Sequence, residues 1–211
     1  MAVPVFVVLL ALAAGCGTTA GGQQPAIVQP GAPGAPTRVL TADKVKALPQ
    51  PGFTPADVQF MLGMIGHHAQ AVEMTGLLAT RTADADMKKL AQRIELSQAD
   101  EIKMMKDWLH QRGQPLPDEH AHHGDGAKLM PGMLTADEMK RLAAATGAEF
   151  ERLFLEYMIT HHLGALTMVK GLFSTPGAGQ ESEIFAFASD VDADQRMEID
   201  RMGAMLKERQ K

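Results

Sequence analysis

One stretch of this sequence is written twice, and that duplication limits what the chain can fold into. Leu40-Thr41-Ala42-Asp43 recurs as Leu134-Thr135-Ala136-Asp137, an offset of 94. The same offset carries Phe60 to Phe154, Met64 to Met158, Ile65 to Ile159, Ala71 to Ala165 and Met74 to Met168. It also carries His67-His68 to His161-His162, so that 7 of the 15 positions in 60–74 and 154–168 are identical. At an offset of 97, Gln98, Glu101, Ile102, Met105 and Leu109 recur as Gln195, Glu198, Ile199, Met202 and Leu206. The three extra residues fall in the loop Ser174-Thr175-Pro176-Gly177-Ala178-Gly179. The fold must therefore hold two similar units, each a pair of segments.

Periodicity identifies those segments as helices. Phe60, Met64, His67, Ala71, Met74 and Leu78 step by three or four and share one face. Thr54 is placed to cap this helix, with Pro55 at its first position. Its partner aligns Leu90, Ile94, Gln98, Glu101, Met105 and Trp108, and Gly113 with Pro115 ends it. The second copy repeats both stripes: Phe154, Met158, His161, Ala165, Met168 and Leu172, then Phe187, Val191, Gln195, Glu198, Met202 and Met205. Short helices are expected after Thr41 and Thr135. No segment shows strand alternation. The expected fold is all-α: a four-helix bundle built from a duplicated helix pair, residues 40–211, with halves of about 40–112 and 134–208 and a connector, 113–133.

The amino-terminal part reads as an address. Val3 to Ala14 is an apolar run too short to span a bilayer, and it fits the core of a signal peptide, residues 1–15. It ends in Ala13-Ala14-Gly15-Cys16, and Cys16 is the only cysteine in the chain. Small residues before a lone Cys resemble a lipoprotein cleavage box, with Cys16 the lipidated residue; the alternative is an inert Cys beside an ordinary secretory cleavage site. Residues 16–39, rich in Gly, Pro, Ala and Gln, read as a flexible linker. The expectation is an exported protein, periplasmic or at the cell surface, touching the membrane only through its lipid. A net charge of −5 argues against a nucleic-acid partner.

The apolar stripes carry polar residues at their centres. His67 lies mid-stripe, His68 about 100° round the helix at its edge, and His161 and His162 repeat this. Glu101 and Glu198 sit mid-stripe on the partner helices. A buried carboxylate costs several kcal/mol unless it is paired or coordinates something. Two explanations stand. In one, His and Glu hydrogen-bond in each half and fix helix register. In the other, the site binds metal: imidazole suits Cu, Zn, Fe and Ni, and thioether sulfur favours Cu(I). Met-x2-His-His-x5-Met places two sulfurs and an imidazole along one helix face, twice. The 15 Met alone prove little, since Met is a good core filler. The connector adds Asp118-Glu119-His120-Ala121-His122-His123, donors for Cu(II), Zn(II) or Ni(II) or else a solvated polar loop.

Two Met-Ile-x-His-His-x2-Ala-x2-Met segments, each followed by a Gln-x2-Glu-Ile-x2-Met helix, resemble domain-of-unknown-function family 305 from about Thr54 to Leu206. The resemblance implies a ferritin-like four-helix bundle, usually exported, with copper binding and copper tolerance in some members. Carried over by position, it implies metal-site roles for Met64, His67, His68 and Met74, and for Met158, His161, His162 and Met168. Glu101 with Met105, and Glu198 with Met202, match the second motif. Glu73 keeps the acidic residue expected before the downstream Met, whereas Thr167 does not.

Three functions follow. The first is copper binding, as Cu(I) at Met-rich positions and Cu(II) at His120, His122 and His123, for buffering or delivery to a copper-handling partner. The second is a di-metal oxidase, but no helix carries Glu-x2-His on its core stripe, so the expectation is no enzyme. The third is a non-catalytic structural or interaction module of the cell envelope whose His and Glu pair with each other, with pH sensing as a variant.

Overall fold

The structure is a computed structural model and describes residues 27–29, 36–47, 50–116 and 129–209. The signal-peptide residues 1–15, Cys16 and the connector histidines His120, His122 and His123 lie outside the described residues. Those that are described fall into two units, one before residue 50 and one from Gln50 on.

The first unit corrects the reading of 16–39 as linker throughout. Ile27–Gln29 (β1) pairs antiparallel with Arg38–Leu40 (β2), with Val28 opposite Val39. Three-residue strands are too short to show alternation, and Ile27, Val28 and Val39 stay exposed. A helix, Ala42–Lys46 (α1), follows, and the Thr41 hydroxyl accepts from the Lys44 N–H at its start.

The second unit is built from four long helices. Pro55–Gly76 (α2) begins in a capping box, with the Thr54 hydroxyl accepting from the Asp57 N–H and Asp57 accepting from the Thr54 N–H. A short helix, Leu78–Arg81 (α3), leads into Ala85–Gln111 (α4), which Gly113 closes at φ +64°. Ala136–Ala144 (α5), capped by Thr135, precedes Gly147–Ser174 (α6), and Ser182–Glu208 (α7) completes the unit. The helices pair as the repeat requires, α2 on α4 and α6 on α7, and α2 against α6 joins the halves. The buried Asp57 also accepts the Gly179 N–H at 2.7 Å, tying the α6–α7 loop to the start of α2. No described helix is long and apolar enough to cross a membrane.

The core is two apolar clusters rather than one. The first holds Met74, Met87, Ile94, Phe150, Met158 and Met202, and the second holds Met64, Met105, Trp108, Val169, Phe187 and Val191. Each cluster draws on both halves. Met64, in the middle of α2, clusters with Met168, towards the end of α6, whereas Met74, at the end of α2, clusters with Met158, in the middle of α6. The two helices are therefore antiparallel, and a local two-fold relates the halves.

That two-fold is closed at both ends by equivalent ion pairs. Arg112, after α4, reaches Glu181, the N-cap of α7, at 3.2 Å. Arg209, after α7, reaches Asp84, the N-cap of α4, at 2.6 Å. An offset of 97 maps Asp84 onto Glu181 and Arg112 onto Arg209. Each half thus clamps the other by its helix start.

Candidate metal centre

Between the two apolar clusters every long helix contributes polar residues: His67 and His68 from α2, Gln98 and Glu101 from α4, His161 and His162 from α6, and Gln195 and Glu198 from α7. All four imidazoles are fully buried. His68 is therefore no edge residue, because packing of α2 against both α4 and α6 buries a wider face than one stripe.

Three of the four rings have a partner for one nitrogen. His68 Nε2 donates to Glu101 at 2.5 Å, and His162 Nε2 donates to Glu198 at 2.7 Å. His67 Nε2 donates to the Pro131 carbonyl at 3.0 Å. The Nδ1 atoms of His67, His68 and His162, and both nitrogens of His161, have no hydrogen-bond partner among the described residues. Gln98 and the carbonyl oxygen of Gln195 are in the same position. A buried polar atom without a partner costs about 1–3 kcal/mol, so such a collection needs an explanation. With Nε2–H engaged, Nδ1 carries the lone pair, and a carboxylate or carbonyl accepting from the far nitrogen is the usual arrangement of a metal-ligating histidine.

The protonation states agree. The rings of His67 and His161 meet with centroids 3.8 Å apart and planes tilted by 36°. Burial, then the neighbouring His68, holds the His67 imidazole at about pKa 3. Burial, then His67 and the other histidines, pulls His161 well below its ordinary value. Both rings are neutral at physiological pH, the form that ligates. Burial, followed by the neighbouring carboxylates Glu101, Glu198 and Asp190, pushes Asp194 up.

The methionines sort into two triples. Met64, Met105 and Met168 lie on one side of the polar layer, and Met158, Met202 and Met74 lie on the other, as the two-fold demands. Met64 and Met74 are ten residues apart, about 15 Å along α2. The two sulfurs of one motif therefore do not share an ion with its imidazole; each motif gives one sulfur to each side. Among the described residues no three His, Cys, Asp or Glu side chains converge as a metal cluster.

Several residues of the site carry no signal in the repeat. The segment 130–134 lies in the groove between α2 and α6. Gln70 accepts the Leu134 N–H at 2.7 Å and donates to its carbonyl at 2.9 Å. Pro131 and Gly132 sit so close to Gly164 that a Cβ there would stand 1.8 Å from the Pro131 oxygen. Gln70 and Gly164 occupy equivalent positions in the two halves, and their difference is the one available clue.

The comparisons agree with this architecture. The family model "Domain of unknown function (DUF305)" matches residues 57–206. Among solved structures, the chain is similar to a DUF305 protein of Streptomyces coelicolor, with 35% identity, a TM-score of 0.62, and coverage of 73% of this chain and 93% of that one. It is also similar to CopM in its Cu(II)-bound form, with 29% identity, a TM-score of 0.60, and coverage of 72% and 96%. CopM is known in Cu(I)-bound and Ag-bound forms too. Protein L153 of Acanthamoeba polyphaga mimivirus is 41% identical over 56 residues, 26% of this chain and 37% of that protein, so the match spans little more than a third of its length. A duplicated helix pair, the paired histidines and a model match over most of the folded unit place this chain in the DUF305 family.

Proposed function

We propose that the protein binds copper in the polar layer of its bundle and buffers the ion or hands it on outside the cytoplasm, without catalytic turnover. The observation that carries this reading is the set of four buried histidines whose Nδ1 atoms have no hydrogen-bond partner. The residues fit the ion. Neutral imidazole suits both copper states, and thioether favours Cu(I). Candidate ligands are His67, His68, His161 and His162 with the methionine triples on either side; Glu101 and Glu198 orient His68 and His162. The copper- and silver-bound forms of CopM support the choice of metal. In this proposal His120, His122 and His123 supply a weaker Cu(II) class, and a lipid on Cys16 holds the exported protein at the membrane.

A second reading has its own support. The His68–Glu101 and His162–Glu198 bonds are the pairs that a purely structural core would need. It leaves His161 without a partner on either nitrogen.

The test is a competitive titration of the full chain with Cu(I) and with Cu(II), reading stoichiometry by mass spectrometry and affinity against a chelator. Tight stoichiometric Cu(I) binding that survives deletion of residues 120–123 supports a site in the bundle. Binding no tighter than that of surface histidines overturns it in favour of the structural module.

A further inference from the structure

Gly63, on α2 beside Met64, leaves a notch that Met130 and Met168 cover, so that the glycine itself is buried. A Cβ built there would stand 3.4 Å from the Met130 ε-methyl, 3.4 Å from the Met168 ε-methyl and 3.6 Å from the Met130 sulfur. Two thioether tips from separate parts of the chain thus meet at one point. Met130 is exposed, Met168 is half-buried and Met64 is fully buried. One turn further along α2 is His67, with its unpartnered Nδ1. Sulfur is offered at every level from solvent to the buried imidazole.

Met130 is held there by the backbone around it. The Pro131 carbonyl accepts from His67 Nε2, Gly164 admits Pro131 and Gly132 at closest approach, and Gln70 grips Leu134 through both backbone groups. The notch is absent from the other half, where Tyr157 takes the place equivalent to Gly63. An aliphatic side chain would cover a glycine notch equally well. What methionine adds is a polarisable sulfur donor at the surface, which a soft monovalent ion prefers to imidazole or carboxylate.

We propose that Met130 and Met168 form a surface acceptor for a soft monovalent cation, Cu(I) or Ag(I), on the first half only, through which the ion reaches Met64 and His67. This rests on the copper reading but adds a residue and a side of entry to it. The probe is Ag(I), titrated into the full chain labelled at the methionine ε-methyls. The Met130 and Met168 resonances, assigned from their Leu variants, shift within the first equivalent. Met130→Leu and Met168→Leu, which keep the packing, each weaken Ag(I) binding at least tenfold, and Met104→Leu, an exposed control, leaves it unchanged. Silence of both methyls while others shift, or parental affinity in Met130→Leu, overturns the port and leaves the buried site standing. Equal weakening by Met104→Leu also overturns it, as nonspecific thioether binding. No Ag(I) or Cu(I) binding at all overturns both readings.

Discussion

The rings of His67 and His161 meet at 3.8 Å, tilted by 36°, across the axis relating the two halves, yet only His67 has a hydrogen-bond partner. Its Nε2 is engaged by the Pro131 carbonyl, whereas neither nitrogen of His161 has a partner among the described residues. The duplication is therefore symmetric in its helices and asymmetric in its chemistry. His67 is part of how the fold is held, whereas His161 sits in the core at the fold's expense.

That difference separates a ligand from a structural residue. His161→Leu fills similar space and removes two buried nitrogens without partners, each worth roughly 1–3 kcal/mol. The metal-free variant is expected to melt at or above the parent's temperature while binding copper at least tenfold more weakly. A melting temperature lower by several degrees, with copper affinity intact, shows that the ring is a packing element.

Glu198 offers the complementary case. Glu198→Ala strands the buried His162 Nε2–H and should cost about 1–3 kcal/mol in the metal-free protein. If Glu198 also orients a ligand, copper affinity falls about 10- to 100-fold, the usual effect of losing the group that holds a ligating imidazole in place. Denaturant unfolding and a chelator competition on the same sample read the two effects apart. Lost stability with unchanged affinity assigns the pair to register alone.

The bundle was legible because period and repeat both report on burial. The stripes of Met64, His67 and Met74 and of Gln98, Glu101 and Met105 predict the buried faces of α2 and α4. Thr54 with Pro55 predicts where α2 starts. The repeat also held an unused clue, since the offset of 97 maps Arg112 onto Arg209 and Asp84 onto Glu181. A His–Glu bond in each half was legible, but which histidine makes it was not. Period places His68 at an edge, and only the packing of α2 against two neighbours buries it beside Glu101. Gln70, Met130, Pro131 and Gly164 act through a backbone segment lying in a groove, and such contacts leave no periodic trace. The hairpin of Ile27–Gln29 with Arg38–Leu40 was hidden by its shortness.

Gly164 tests the docking of that segment. A methyl there collides with the backbone oxygen of Pro131, which has no side-chain freedom with which to yield. Gly164→Ala should displace residues 130–134, strand His67 Nε2 and Gln70, and destabilise the protein by about 2–4 kcal/mol. Hydrogen exchange at the Leu134 amide, which bonds to Gln70, should rise most. Parental stability and unchanged protection at Leu134 would mean that the segment does not dock as described.

The reciprocal clamps predict paired effects. Arg209 bonds Asp84 and Glu151, and Arg112 bonds Glu181 and Glu183, all at the bundle ends. Hydrogen bonds to charged groups contribute roughly 1.5–3 kcal/mol when shielded, less where water competes, as it does here. Arg112→Ala and Arg209→Ala should each cost about 1–2 kcal/mol. They act at opposite ends, so the double variant should lose nearly the sum. A double variant no worse than either single would show that one end alone supports the bundle.

Acid should unfold the metal-free protein earlier than its carboxylates alone would require. In the unfolded chain His67 takes up its proton near its ordinary value of 6.5, whereas in the folded chain burial and His68 delay uptake to about 3. Between those values the unfolded state binds more protons, so stability falls as pH falls. It is fully present above 6.5 and is lost progressively down to about 3, a total on the order of 5 kcal/mol from this one group. His161 adds to the loss in the same direction. Asp84, held below its usual range by the Met87 N–H, then by the Asp86 N–H and Arg209, contributes only at lower pH, below its ordinary 3.8. Denaturant midpoints at pH 7.5, 6.5, 5.5 and 4.5 should therefore decline steadily below 6.5. His161→Leu should shallow that slope by removing one of the two groups. A midpoint constant from pH 7.5 to 4.5 would mean that these rings already reach solvent, and with it the case for a buried neutral ligand set would fail.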